Sequence, residues 1–111
     1  LLRAEAYLRK GDLGNAANDI NMVRERANAI PVKPTELNID YILDERAREL
    51  MTEEPGRRTL IRMGLLVERV RKYDIVSSSR TSVQDFHKFY PIPQSAIDAN
   101  TGAELKQNSG Y

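Results

Sequence analysis

The sequence contains no cysteine and only one histidine, His87. Without cysteine, disulfide bonds, thiolate catalysis and cysteine-ligated metals are excluded. One histidine falls short of the two or three His or Cys ligands that a metal site usually has. No run of about 18 apolar residues is present, so no segment is predicted to span a membrane as a helix.

An excess of charge of one sign is also missing. Lys and Arg number 17 and Asp and Glu 16, which gives a net charge of +1, and the two signs are interleaved along the chain. A nucleic-acid-binding protein needs a basic face or stripe, so the sequence argues against a nucleic-acid partner. Its 41% hydrophobic and 30% charged residues are ordinary for a globular protein. At 111 residues, the chain is one domain or part of one.

The chain starts inside a helical pattern. Residues 1–7 have no initiating Met, no N-cap residue and no signal peptide. We therefore expect a piece of a longer protein, with any targeting segment upstream.

The first two helices are predicted to form an antiparallel hairpin. One covers residues 1–10 and stops at Gly11, and Asp12 is a suitable N-cap for the next because its carboxylate accepts from free N–H groups. The second helix has an apolar stripe at i, i+3, i+4 spacing, formed by Leu13, Ala16, Ala17, Ile20, Val23 and Ala27. The segment from Ala4 to Ile20 also resembles a single tetratricopeptide unit, which implies stacked neighbours.

Two longer helices are predicted in the middle of the chain. One covers about 39–53, capped by Thr35 or Asn38, and the other covers about 58–73. Gly64 falls inside the second, where a glycine costs about 1 kcal/mol relative to alanine. Such a glycine is tolerable where another backbone packs closely on it.

The remaining segments are predicted to be shorter and less regular. Pro55-Gly56 breaks the chain, and the serines at 77–79 indicate a loop rather than a site. A short helix is expected over 81–87, and one helical turn near 95–100 within an otherwise irregular end.

Charged residues on the third helix suggest a structural cluster. Arg46 lies within the apolar stripe of Ile42, Leu43 and Leu50, so it should be buried and paired, most simply with Glu49 or with a carboxylate on a neighbouring helix. Glu45, Arg46 and Glu49 could also be read as an acid/base set. Their helical spacing favours a structural ion-pair cluster, because paired charges in helical cores need no chemistry.

The rest of the sequence shows no signature of a catalytic site. The many carboxylates could supply a glycosidase pair, but nothing in the sequence selects two of them. A Ser-His-Asp triad around His87 would need long-range geometry that the sequence does not reveal. No catalytic residue and no metal ligand is therefore assigned.

Aromatic side chains are the candidate platforms for sugars, because an aromatic face can stack on the apolar face of a pyranose ring. The candidates are Tyr41, Tyr73, Phe86, Phe89 and Tyr90. Core packing is the competing explanation and is favoured for Tyr7, Phe86 and Phe89. Tyr73, beside Asp74 at a helix end, is the better-supported platform.

Four segments, in this order, resemble the SusD/RagB family. Residues 42–50 are similar to the family's Ile-Leu-x-Glu-Arg-x-x-Glu-Leu helix, and residues 58–64 to its Leu-Ile-Arg-x-Gly helix. The Tyr-Pro-Ile-Pro-Gln segment at 90–94 and the Gln-Asn-x-Gly-Tyr end at 107–111 match the family's C-terminus. Each segment alone is weak, but the ordered set is strong.

The resemblance implies an all-α fold of tetratricopeptide-like antiparallel helix pairs with an irregular C-terminal segment. Residues 1–111 would be the C-terminal helical domain of a longer chain. The family comprises nutrient-binding lipoproteins on the exterior face of the Bacteroidetes outer membrane. The implied function is non-enzymatic capture of glycans or other nutrients and their delivery to a TonB-dependent transporter of the SusC type, with no cofactor.

The resemblance places no carbohydrate-binding residue on this sequence. Membrane contact would be made only through a lipid anchor outside these residues. The alternative function is a generic helical-repeat adaptor that binds a protein or peptide, and an enzyme domain has little support.

Overall fold

The computed structural model describes residues 1–54 and 56–111. The described residues form helices and connecting turns, with no strand among them, which confirms the all-α prediction. The α-helices are α1 (Leu2–Arg9), α2 (Leu13–Arg26), α3 (Ile39–Glu49), α4 (Gly56–Met63), α5 (Leu66–Tyr73), α6 (Ser77–Ser82) and α7 (Gln94–Ala99). Two 3-10 turns cover Pro34–Glu36 and Asp85–Lys88. The predicted break at Pro55-Gly56 falls partly outside the described residues, since Pro55 is not among them.

The chain divides into two compact units, residues 1–56 and residues 57–111, and each is considered by itself. The tetratricopeptide likeness of the first hairpin, and the assignment of the whole chain to one domain, remain predictions.

The hairpin of α1 and α2 is closed by a left-handed glycine. Gly11 has φ +80°, and the N–H groups of Gly11 and Asp12 donate back to the carbonyls of Leu8 and Tyr7 at 3.0 and 2.9 Å. This pair of bonds is a Schellman motif, which satisfies carbonyls at the helix end and requires positive φ at its centre. Asp12 then caps α2, accepting from the N–H of Asn15 at 3.1 Å. The predicted stop and the predicted N-cap are both confirmed.

An ion pair shows how α1 and α2 run. Arg3 donates to both carboxylate oxygens of Asp19, at 2.7 and 2.6 Å. Arg3 and Asp19 are equally far from Gly11 in the sequence, so the two helices lie antiparallel.

The core of the first unit lies where α1, α2 and α3 meet. Small side chains at Ala4, Ala16 and Ala17 let the helices approach, and Ile20 and Ile42 are fully buried. The buried cluster consists of Ala4, Ala16, Ala17, Ile20, Val32, Leu37 and Ile42, with Leu1, Tyr7, Leu8 and Tyr41 packed against it. Burying one aliphatic side chain contributes about 1.5–3 kcal/mol, so this cluster is the main stabilising element of the unit.

The connector between α2 and α3 is fixed by side-chain hydrogen bonds. Asn28 follows the C-cap of α2 and has φ 52°, in the left-handed conformation that Asn tolerates better than most residues. The Asn21 side chain then holds Val32 on both sides, accepting from its N–H at 2.8 Å and donating to its carbonyl at 3.0 Å. Val32 thereby reaches the core, and the connector packs back onto α2.

Helix α3 is shorter than the predicted 39–53. Of the two predicted caps, Asn38 is the one used, accepting from the Tyr41 N–H at 2.8 Å. The helix ends at Glu49, and residues 50–54 turn, with the N–H groups of Glu53 and Glu54 donating to the carbonyl of Leu50. Ala47, whose helical spacing continues the apolar stripe of Ile42, Leu43 and Leu50, is exposed.

The prediction of one helix over 58–73 is wrong. Gly64 has φ +73°, and the N–H groups of Gly64 and Leu65 donate to the carbonyls of Ile61 and Leu60 at 3.0 and 2.8 Å. These bonds form a second Schellman motif, so α4 ends and α5 begins there. The glycine is a helix terminator rather than a site of close backbone packing, since a Cβ built on it meets nothing within 4 Å.

The prediction of a serine loop followed by a helix over 81–87 is also wrong. Residues Ser77–Ser82 form α6, residues 83–84 are extended, and a 3-10 turn follows. Asp74 explains the early start, because its carboxylate accepts from the Val76 N–H at 2.8 Å and turns the chain directly into α6. Inside α6, the Thr81 hydroxyl donates to the carbonyls of Ser77 and Ser78.

Candidate functional site

The C-terminal motif holds the Tyr-Pro-Ile-Pro segment by side-chain hydrogen bonds. The Gln107 amide accepts from the Ile92 N–H at 2.8 Å and donates to the Ile92 carbonyl at 2.9 Å. Ile92 lies between Pro91 and Pro93, which have no N–H, so Gln107 serves the one backbone donor of that tripeptide. Asn108 donates to the Tyr90 carbonyl at 2.7 Å. The motif therefore has a structural explanation, which its sequence alone did not reveal.

The last two residues complete this attachment. The Tyr111 hydroxyl donates to the Phe89 carbonyl at 2.9 Å, and its ring meets Phe86 edge-on with 5.0 Å between centroids. Gly110 has φ +101°, and a Cβ there would lie 2.7 Å from Cβ and Cδ1 of Phe86. Only glycine fits this position, on grounds of both conformation and space.

His87 closes the 3-10 turn. Its Nδ1 accepts from the Gln84 N–H at 2.9 Å, and its ring lies 4.2 Å from that of Phe86. Among the described residues, no group of three or more His, Cys, Asp or Glu side chains is arranged to hold a metal ion. The contacts of His87 give it a structural role.

The aromatic candidates of the second unit differ in exposure. Phe86 is half-buried, whereas Phe89 is 58% exposed, so the explanation of Phe89 as a core residue is wrong. It is exposed because Tyr111 and Asn108 bind the backbone of 89–90 and leave the side chains outside. Tyr90 is 69% exposed, with the Arg57 guanidinium 4.6 Å from its ring centroid.

Tyr73, the better-supported platform in the sequence, has cations against its ring. The Arg69 guanidinium lies 4.2 Å and the Lys72 ammonium 4.9 Å from the ring centroid. Such cation–π contacts occupy the ring surface that a sugar would need. Tyr73 is therefore less available than its 46% exposure indicates.

Glu45, Arg46 and Glu49 of α3 form ion pairs, but not with one another. Glu45, only 7% exposed at its side chain, accepts from Arg24 at 2.8 Å and from Arg48 at 2.7 Å, both on Oε2. Glu49 pairs with Arg26 on α2. The hydrogen bond with Glu45 raises the pKa of Arg48 above its ordinary value.

Arg46 pairs with Glu54, in the turn after α3, rather than with the proposed Glu49. Its side chain is 12% exposed, and its Nε is buried without a hydrogen-bond partner among the described residues. The turn over 50–54 explains the difference, because it brings Glu54 back beside the helix, an arrangement that helical spacing does not predict.

A groove lies beside this cluster in the first unit. It has a volume of about 510 Å³ and is lined by Arg24, Tyr41, Glu45, Arg48 and Glu49, together with Ala27 and Ala29. Arg24 is anchored there by donating from Nε to the Ile30 carbonyl at 2.7 Å, and its guanidinium lies 5.8 Å from the Tyr41 ring centroid. We call this feature the Tyr41 groove.

The structure thus brings together two sets of residues that the sequence treated separately. Tyr41 was a candidate platform, and Glu45 and Glu49 belonged to the structural cluster, yet all three line the same groove. Arg24 was missed, because on α2 it falls outside the apolar stripe. The sequence offered one signal for Arg24: it is a charged residue on a helix that must pack against a second helix that also carries charges.

Comparison with known proteins gives one family. The model of the SusD family matches residues 1–111, which is the whole chain. Searches of the curated proteins and of the solved structures return no match. No helix among the described residues is long and apolar enough to cross a membrane. Since the family match covers every residue of the sequence, the chain belongs to the SusD family.

Proposed function

We propose that this protein binds a glycan or another nutrient without chemical change and delivers it to a TonB-dependent transporter of the SusC type. The observation that carries the proposal is the SusD family match over residues 1–111, since the family is one of nutrient-binding proteins. The protein would act at the exterior face of the outer membrane, as a lipoprotein.

The charged groups of the Tyr41 groove support a binding role rather than catalysis. Glu45 is held in place by two arginines and Glu49 by one. These charge-assisted hydrogen bonds fix the orientation of both carboxylates. The arrangement suits the positioning of a ligand.

Delivery is tested by isolation of the protein with its partner. The protein is expressed from its own gene in its own host, and outer membranes are extracted in detergent. We expect it to co-purify with a TonB-dependent transporter and to lose that partner when the transporter gene is deleted. Recovery with periplasmic or cytoplasmic proteins instead would favour the helical-repeat adaptor.

The absence of turnover is tested separately. Incubation with plant and host glycans should release no reducing ends above a buffer control. Reproducible release that is abolished by replacement of a carboxylate would overturn the non-catalytic proposal.

A further inference from the structure

The Tyr41 groove has the dimensions of a small-molecule site. Its volume of about 510 Å³ lies within the range of about 300–1,000 Å³ usual for ligand pockets. It is formed by α2, the connector after it and α3, which pack on one core. The site is therefore built on helices whose positions are fixed by packing rather than on a free loop.

The groove contains a hydrogen-bond donor next to a hydrogen-bond acceptor. Arg24 uses Nε for the Ile30 carbonyl and Nη1 for Glu45, and these contacts leave its Nη2 as a donor. Both arginine contacts of Glu45 fall on Oε2, and among the described residues Oε1 keeps its capacity to accept. Two neighbouring hydroxyls of a sugar, each able to donate and accept, match such a pair.

The aromatic side of the groove is Tyr41. Its ring packs against the buried cluster, and its backbone N–H is held by Asn38. A ring that is ordered before the ligand arrives costs less entropy on binding than a free one. The Arg24 guanidinium lies 5.8 Å from the Tyr41 ring centroid, farther than the cations at 4.2 and 4.9 Å from that of Tyr73, and this leaves ring surface for the C–H face of a sugar while the charged groups meet the hydroxyls.

The charges of the groove indicate which kind of sugar fits. Arg24 and Arg48 carry two positive charges, and Glu45 and Glu49 carry two negative ones, so the lining is balanced. An acidic sugar would bring its carboxylate close to the negative charges of Glu45 and Glu49. The arginines beside them are already paired with these glutamates and so would not offset the repulsion. The balance favours a ligand that has hydroxyls and no charge.

Resting on the proposed function, we infer that the Tyr41 groove is a subsite for a neutral saccharide with neighbouring hydroxyls. Arg24 and Glu45 bind the hydroxyls, Tyr41 stacks on the ring, and Arg48, 58% exposed at its side chain, contacts the ligand from the rim. The exposed Tyr90 is the competing position. The Arg57 guanidinium lies 4.6 Å from its ring centroid, closer than Arg24 lies to that of Tyr41, and Tyr90 does not line the groove between α5 and the 3-10 turn at 85–88.

The inference is tested by calorimetric titration of the whole chain with cellohexaose and mannohexaose as neutral probes and hexagalacturonate as the acidic one. Arg48→Ala should weaken binding of a neutral probe about tenfold, the effect of one charged hydrogen bond. Ala27→Trp fills the groove without removing a member of any of its ion pairs and should abolish binding. Arg80→Ala, an exposed arginine on α6, is the matched control and should bind like the wild type.

The results separate this inference from the proposed function. Unchanged binding in both groove variants, loss confined to Tyr90→Ala, or tighter binding of hexagalacturonate would overturn the Tyr41 groove as a neutral-sugar subsite. If none of the probes binds while the transporter still co-purifies, the inference fails and delivery stands. Circular dichroism melts of each variant show whether a loss of binding is a loss of fold.

Discussion

Replacement of Gln107 tests how the C-terminal motif stabilises the Tyr-Pro-Ile-Pro segment. Gln107→Met keeps the length of the side chain and removes two bonds to Ile92 and one from the N–H of Asn108, at 2.8, 2.9 and 2.9 Å. At about 0.5–1.5 kcal/mol for each bond, the loss is about 1.5–4.5 kcal/mol. Local opening of the segment should become about ten- to a thousand-fold more frequent, since each 1.4 kcal/mol is about a factor of ten.

Amide hydrogen exchange at Ile92 measures this opening directly, because its N–H is bonded to Gln107 itself. In Gln107→Met, exchange of the Ile92 amide should be about ten- to a thousand-fold faster than in the wild type, while the amides of α2 should keep their protection. Gln107→Glu is the control, since the carboxylate can still accept from Ile92 although it cannot donate. It should fall between the wild type and Gln107→Met. An Ile92 amide that exchanges equally in all three proteins would refute the reasoning.

Three further predictions follow from single contacts. Glu45→Ala leaves Arg24 buried without its carboxylate and should lower the free energy of unfolding by about 2–4 kcal/mol. Breaking a fully buried pair costs about 3–5 kcal/mol, and the loss here is smaller because the guanidinium keeps the Ile30 carbonyl as a partner. An unchanged midpoint of urea unfolding would contradict this prediction. Gly110→Ala would overlap the Phe86 ring, so the C-terminus should detach and carboxypeptidase should trim it faster than the wild type; equal trimming rates would count against the fit. The pKa of Asp19 is lowered by its hydrogen bond from an arginine, so its stabilising effect is complete above the unfolded pKa, about 3.9, and is lost as the pH falls through the folded pKa. The wild type should therefore melt above Asp19→Asn at pH 7, with a difference that shrinks below about pH 4; a difference that persists at the lowest pH would exclude this cause.

Local signals in the sequence predicted local structure well. Asp12 and Asn38 were placed at N-caps, and Gly11 at a helix end, because each is decided by bonds within a few residues. Gly64 shows the limit of such reasoning. The apolar pattern continues on both sides of it, and a pattern cannot distinguish a glycine inside a helix from one that ends a helix with positive φ.

Contacts between distant residues could not be predicted in the same way. The helical spacing of Glu45, Arg46 and Glu49 indicated ion pairing, but the partners lie on α2, on the turn after α3 and elsewhere on α3 itself. The exposure of Phe89 follows from a bond made by Tyr111, twenty-two residues later. Such arrangements depend on how elements pack, which periodicity within one element does not contain.

The most direct test of ligand binding at the Tyr41 groove is an NMR titration of the isotope-labelled chain with a neutral hexasaccharide. We expect amide shifts to concentrate just after α2, at residues 27–30, and around Tyr41, Glu45 and Arg48, and to saturate with the affinity found by calorimetry. Shifts that centre on Phe89 and Tyr90 instead, or a spectrum unchanged by saturating ligand, would contradict the account.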